Sequence, residues 1–204
     1  MKETKPRINI AIVCGSVRPG NYTAKALALV ADELGKQPKV KVNPIDLDTF
    51  NLPFPGKPAR DSSPERLRQI VREATGVVIA TPEYHGSFSS VIKLAIENLG
   101  FPSPLAGKPV ALLGVAGGQI GAIKSLEHLR SVCSHVGALV LPNLVSVPRV
   151  KEVFDEQGRC LDGRMEKLIR NLATSLLDYI EGAICPRIAL EAIVRGEAEA
   201  EEVL

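Results

Sequence analysis

The feature that most constrains this chain is a fivefold alternation of short apolar runs with segments of helical periodicity. Ile8–Val13 is almost continuously apolar, as expected of a strand buried on both faces. Tyr22–Leu34 follows as a helix with Leu27, Val30, Ala31 and Leu34 on one stripe, and Gly35 is placed to stop it. Val40–Ile45 alternates as a second strand, and Asp46–Arg60, with Pro53, Pro55 and Pro58, reads as a long loop. A helix then opens at Ser63-Pro64-Glu65, with Ser63 as N-cap, Pro64 in the first turn and Glu65 favourable to the dipole. Val77–Ala80 is the third strand, Val91–Leu99 a helix, Val110–Val115 the fourth strand, and Leu126–Val136 the next helix. Leu139–Val147 forms a fifth strand region broken by Pro142, and Gly163–Ile180 a closing helix through Leu168, Leu172, Leu176 and Ile180.

Strand followed by helix throughout predicts an α/β fold, a doubly wound five-stranded parallel sheet with helices on both faces. Neither an internal repeat nor a second core is visible, so residues 1–185 read as a single domain. Residues 186–204 form a glutamate-rich tail with two readings, a surface helix or frayed end, and a partner-docking helix.

The chain's charge and cysteines exclude several classes. Net charge is +2 with the basic residues scattered, which predicts no nucleic-acid footprint and no acidic surface for a redox partner. Cys14, Cys133, Cys160 and Cys185 fit neither a zinc spacing nor a CxxC pair, and His128 and His135, seven apart, lack further ligands, so no metal is expected. No apolar stretch reaches membrane-span length and Lys2-Glu3-Thr4-Lys5 is unlike a signal peptide, so a reduced, cytoplasmic protein is expected.

Open α/β sheets bind ligands beyond the carboxyl ends of their strands, and three segments there carry chemistry. Gly15-Ser16-Val17-Arg18-Pro19-Gly20-Asn21-Tyr22-Thr23 puts hydroxyls, an Arg and glycines ahead of a helix, a composition suited to a phosphate monoester. It lacks both the Walker ending and the dinucleotide G-x-G-x-x-G; its other reading is a plain turn with Arg18 solvated. Pro82-Glu83-Tyr84-His85-Gly86-Ser87, read as a strand-to-helix turn, offers an aromatic, a carboxylate and a glycine to a flat heteroaromatic ring. Gly114-Val115-Ala116-Gly117-Gly118-Gln119-Ile120-Gly121 either lets its backbone approach a ligand or merely connects strand to helix.

Taken in order, Gly15-Ser16-x-Arg18, Pro82-Glu83-Tyr84-x-Gly86-Ser87 and Ala116-Gly117-Gly118 resemble the NAD(P)H-dependent FMN reductases, over about residues 8–180. That family, which includes chromate, quinone and azo-dye reductases, has a flavodoxin-like fold. The resemblance implies that Ser16, Arg18, Asn21, Tyr22 and Thr23 hold the FMN phosphate. Pro82, Glu83, Tyr84, His85 and Gly86 would line the isoalloxazine and ribityl chain, and Ala116, Gly117 and Gly118 would meet the ring's polar edge. The family usually has Ser at the position of Asn21, Asn at those of Thr23 and His85, and Pro-Gly at Ser89-Ser90.

The activity implied is hydride transfer from NADPH or NADH to flavin N5, then ping-pong delivery to a small acceptor: free flavin, quinone, azo dye or metal oxyanion. No catalytic side chain is assigned, because the redox chemistry belongs to the cofactor. His85 reads either as an acid beside the flavin or as an Asn substitute facing solvent, and Glu83 as a loop anchor. The alternatives are a flavodoxin-type electron carrier reduced by a partner protein, and a non-redox nucleotide or phosphosugar binder. The resemblance also implies a homodimer or homotetramer, with residues 52–58 and 87–99 as interface candidates.

Overall fold

The apolar runs become the interior of a twisted parallel sheet in the computed structural model, which describes residues 8–195. In chain order the first half is β1 (Ile8–Cys14), α1 (Tyr22–Gly35), β2 (Val40–Asp46), α2 (Ser63–Glu73), β3 (Gly76–Tyr84), β4 (Ser87–Phe88) and α3 (Ser90–Asn98). The second half is β5 (Pro109–Val115), α4 (Ile123–His135), β6 (Leu139–Val140), β7 (Val145–Val147), α5 (Val150–Val153), α6 (Gly163–Tyr179) and α7 (Cys185–Val194).

The main sheet has the order β2-β1-β3-β5-β6, the doubly wound arrangement expected of a flavodoxin-like chain. Seven strands occupy it instead of five for two reasons. Pro142 splits the fifth position, so β6 pairs with Pro109 and Val110 while β7 pairs with Leu113, Gly114 and Val115. A short antiparallel β4 is folded back on the end of β3.

Strand alternation sorts the core into two layers. Ile8, Ile10 and Ile12 of β1 pack with Leu27, Val30, Ile169 and Leu172 from α1 and α6. Ala11 and Val13 face Leu67, Val71, Ile92, Ile96, Leu126 and Leu129 from α2, α3 and α4. The helix after β1 thus leaves to one face and the helix after β3 to the other. Their two connecting segments diverge and open a crevice at the switch point, where ligands bind in this architecture.

Several local expectations are corrected. Ser63 is the first residue of α2 and not its cap: Ser62 precedes the helix, and the Ser63 hydroxyl accepts from the Asn51 amide at 3.1 Å. Gly35 still belongs to α1, which ends when the Lys36 amide reaches back to Glu33 and Leu34. The buried stripe of α6 runs through Ile169, Leu172, Ala173 and Leu176, leaving Leu168 exposed, because α1 packs about one residue further around the helix than the leucines alone suggest. Beyond Tyr179 the helix widens to a π turn over Ile180–Ile184 and continues as α7 from Cys185, across the expected domain end, with Leu190 and Val194 exposed. The rest of the tail, 196–204, lies outside the described residues. None of the described helices is long and apolar enough to cross a membrane.

Candidate functional site

The segment after β1 is short of freedom. The Gly15 amide donates to Ala80 O at 2.8 Å, prolonging the β1–β3 pairing, and a Cβ built on Gly15 would lie 2.5 Å from Ile92 and 2.6 Å from Ala80 O. Glycine is required there by close approach. The chain then turns through Gly20 at φ +63° and enters α1 with Asn21 as N-cap. Asn21 Oδ1 accepts from the Ala24 amide at 2.8 Å, and its Nδ2 donates to Arg18 O at 2.7 Å and Ser16 O at 3.3 Å. Its whole amide therefore shapes the loop and starts the helix, leaving the Tyr22 and Thr23 amides of the first turn to face an anion.

The segment 82–87 is a hairpin and not a simple strand-to-helix turn. β3 runs on to Tyr84, pairs Glu83 with Phe88 and Tyr84 with Ser87, and turns through His85 (φ 51°) and Gly86 (φ 75°). Two successive residues at positive φ are what a two-residue type I′ connection requires. His is among the few residues other than Gly that tolerate this region, as Asn is, which gives a backbone reason for one standing in for the other. His85 is exposed at the hairpin tip.

Tertiary hydrogen bonds hold the hairpin against its neighbours. Glu83 Oε2 accepts from the Ser125 amide at 3.2 Å, placing a carboxylate on the N-terminal turn of α4, whose own N-cap position, Ala122, has no side-chain cap. Ser87 Oγ and His128 Nδ1 are 3.2 Å apart. At the base, buried Ser89 N–H donates to Thr81 Oγ1 (3.1 Å), while Ser89 Oγ donates to Gly15 O (2.6 Å) and accepts from the Ile92 amide (3.3 Å). One serine thus joins the loop after β1, the end of β3 and the start of α3.

The third segment leaves β5 as an open glycine loop. Ala116 N–H donates to Val147 O (2.9 Å), and the Arg149 and Val150 amides donate to Gly118 O and Ala116 O (both 3.0 Å). Cβ atoms built on Gly117 and Gly118 would meet no protein atom within 4 Å, and neither residue is at positive φ. Neither packing nor backbone conformation demands glycine there. What glycine leaves open is space for another molecule above the loop, which suits close approach of a flavin's polar edge to backbone amides.

These segments enclose one cleft of about 310 Å³, a small-molecule scale. Ser16, Arg18, Asn21, Tyr22, Thr23, Pro82, Glu83, Tyr84, Ala116 and Gly117 all line it; His85, Gly86 and Gly118 do not. Pro19, Gly20 and Val115, from the same segments, also line it, as do Val150 and Lys151, which the sequence reading does not single out. Their sequence signal was their position: Val150 and Lys151 follow directly on the fifth strand, at the same carboxyl edge as the other loops. The Arg18 guanidinium stacks over the Tyr84 ring, 4.7 Å from its centroid, and so bridges the loop after β1 to the hairpin. Beside the cleft, burial pushes the Cys14 thiol above its ordinary range, so it carries its proton at neutral pH. Among the described residues no group of three or more His, Cys, Asp or Glu side chains could hold a metal ion.

One end of the cleft, with helix amides, hydroxyls and a guanidinium, fits a phosphate; the other, with Tyr84, Pro82 and open glycine amides, fits a polar-edged planar ring. Comparison with known proteins agrees. Residues 8–152 match the family described as NADPH-dependent FMN reductase. The chain is 34% identical over 182 residues to an NAD(P)H-dependent FMN reductase of Pseudomonas aeruginosa, covering 83% of this chain and 93% of that protein. It is 27% identical over 186 residues to a quinone reductase of Escherichia coli, covering 86% and 96% respectively. Among solved structures, the flavoenzyme NAD(P)H:acceptor oxidoreductase FerB of Paracoccus denitrificans shares the fold with a TM-score of 0.70 at 21% identity, covering 86% of this chain and 98% of that one.

Proposed function

This chain belongs to the NADPH-dependent FMN reductase family, and from that premise we propose that it passes hydride from NADPH or NADH to bound FMN and the electrons onward to a small acceptor. The observation that carries the site assignment is the convergence of three separate loops on one cleft, with a phosphate-type end and open glycine amides at the other. FMN, when bound, supplies N5 as hydride acceptor. The chain's own groups bind and orient. The Tyr22 and Thr23 amides, the Ser16 and Thr23 hydroxyls and Arg18 take the phosphate, on the loop geometry set by Asn21. Pro82, Glu83 and Tyr84 wall the ring and ribityl chain, and His85 and Gly86 form the hairpin turn outside the cleft lining. Gly117 presents its backbone amide to the ring's polar edge, while the Ala116 amide is held by Val147 O and Gly118 lies outside the cleft lining. The Glu83–Ser125 and Ser89–Gly15 bonds fix these walls relative to one another, so little reorganisation accompanies binding.

A quinone is the acceptor class that a relative's name supports best. Arrangement as a homo-oligomer in the cytoplasm completes the reading. Phe54 and Phe101 are 71% and 92% exposed on the surface carrying residues 52–58 and the end of α3, apolar area that a second copy would cover. Light scattering on the native chain and on F101D tests this: an oligomer that dissociates in F101D supports it, and a monomeric native chain overturns it.

The functional test is an absorbance titration with FMN followed by anaerobic NADPH. Flavin bands that shift on binding and bleach with NADPH are expected. Bands that shift yet stay oxidised would overturn the reductase reading in favour of a carrier, and no perturbation would overturn FMN binding.

A further inference from the structure

We propose that Lys151 is a second cation for the flavin phosphate and a determinant of selection for FMN over unphosphorylated riboflavin; this rests on the FMN reading above. A phosphate monoester carries close to two negative charges at neutral pH, whereas the loop after β1 supplies one full positive charge, Arg18. The cleft contains a second. Lys151 lines it together with Arg18 and the first turn of α1, and makes neither ion pair nor hydrogen bond within the described residues.

Neighbouring basic groups are otherwise engaged. Lys25 Nζ donates to Asp155 O at 2.8 Å and sits 4.6 Å from the Tyr22 ring centroid, and Arg149 is 3.9 Å from Glu152. The one carboxylate in the lining, Glu83, has an oxygen bound to the Ser125 amide at 3.2 Å. The lining therefore combines two cations free of carboxylate partners with a single anion already bonded.

The backbone holds Lys151 in this place at a cost. It is the second residue of α5, a single turn hung on the glycine loop by the Arg149 and Val150 amides and seated by the buried side chains of Val150 and Val153. Entry into that turn puts Arg149 at φ 42°, a left-handed conformation unfavourable for a residue with a Cβ. The segment is thus stitched to the loop at one wall of the cleft, and its lysine lines the cleft alongside the phosphate loop. A flexible ammonium on a fixed turn suits a point-charge contact to phosphate.

The test is fluorescence titration of native protein, K151M, K151R and K151E with FMN and, separately, riboflavin, at low and high salt. K151M should weaken FMN about tenfold at low salt and K151E more, with K151R close to native, as for loss of one charge-assisted contact. Riboflavin affinity should be unchanged in all, and the salt dependence of FMN binding shallower in K151M. Equal losses for FMN and riboflavin, or no loss for either, would overturn the role of Lys151 while leaving FMN binding intact. Native protein that binds neither flavin would overturn the FMN reading itself.

Discussion

Ser89→Ala removes one oxygen from a site that is 2% exposed, and the structure allows its cost to be apportioned. The Ser89 hydroxyl caps α3 by accepting from the Ile92 amide, and it donates to the carbonyl of Gly15 across 74 residues of chain. Loss of the cap costs about 1 kcal/mol. The Gly15 carbonyl left buried without its donor adds about 1–3 kcal/mol. The Ser89 amide keeps its bond to Thr81, so no further term enters. The sum is about 2–4 kcal/mol, a sizeable part of the stability of an ordinary domain. Urea denaturation at fixed protein concentration, without added flavin, measures it; a slope of about 2 kcal/mol per M moves the midpoint down by about 1–2 M. FMN affinity should fall in parallel, since Gly15 begins the phosphate loop. A change below about 0.5 kcal/mol at unchanged slope would refute the reasoning, because it would mean that Gly15 finds another partner or water freely.

Three further outcomes are expected. G15A forces a Cβ against a backbone carbonyl and should cost about 1–3 kcal/mol with loss of FMN binding, whereas G117A, which meets nothing, should keep or raise stability by about 0.4–1 kcal/mol yet bind FMN more weakly. Urea midpoints and FMN titration of both variants separate these, and equal destabilisation would count against an open glycine loop. H85N should match or exceed native stability while H85V loses about 1–2 kcal/mol, read from thermal melts, because a β-branched residue resists the left-handed turn. Burial pushes the Cys133 thiol from 9.0 up to about 12. Its proton stays on in the fold at pH values where the unfolded chain has released it, so this stability is full below pH 9 and is lost as pH rises from there through about 12. The contribution to the slope is up to about 1.4 kcal/mol per pH unit. Urea melts across that range should show a shallower alkaline decline in C133A than in the native chain, and an unchanged slope would refute it.

Most of the fold could be read from local pattern. A strand buried on both faces needs a nearly continuous apolar run, and Ile8–Val13, Val77–Ala80 and Val110–Val115 have one. Once those runs alternate with helices, chain connectivity places the following loops on one sheet edge, so ten of the thirteen anticipated site residues meet in a single cleft. The errors occur where distant contacts select among local options. Residues 82–88 carry signals both for a turn and for a strand end; the I′ turn is selected by pairing with β4 and by anchoring on α4. Leu168 fits the apolar period as well as Ile169, and packing against α1 decides between them.

The alternating strands and helices, the parallel five-position sheet and the chemical character of each loop follow from periodicity and from residue type over a few positions. Assembly of the fold is what lets Ser89 tie the loop after β1 to the start of α3 through its hydroxyl and to the end of β3 through its amide. Only it brought Lys151 to the cleft, by parallel pairing of β7 with β5, which sets the short turn of α5 beside the loop after β1. Such placements depend on hydrogen bonds and burial between segments far apart in the chain, 130 residues in the case of Lys25 and Asp155. No local pattern of side chains records those contacts, since the free energy that selects them is realised only when the two segments meet.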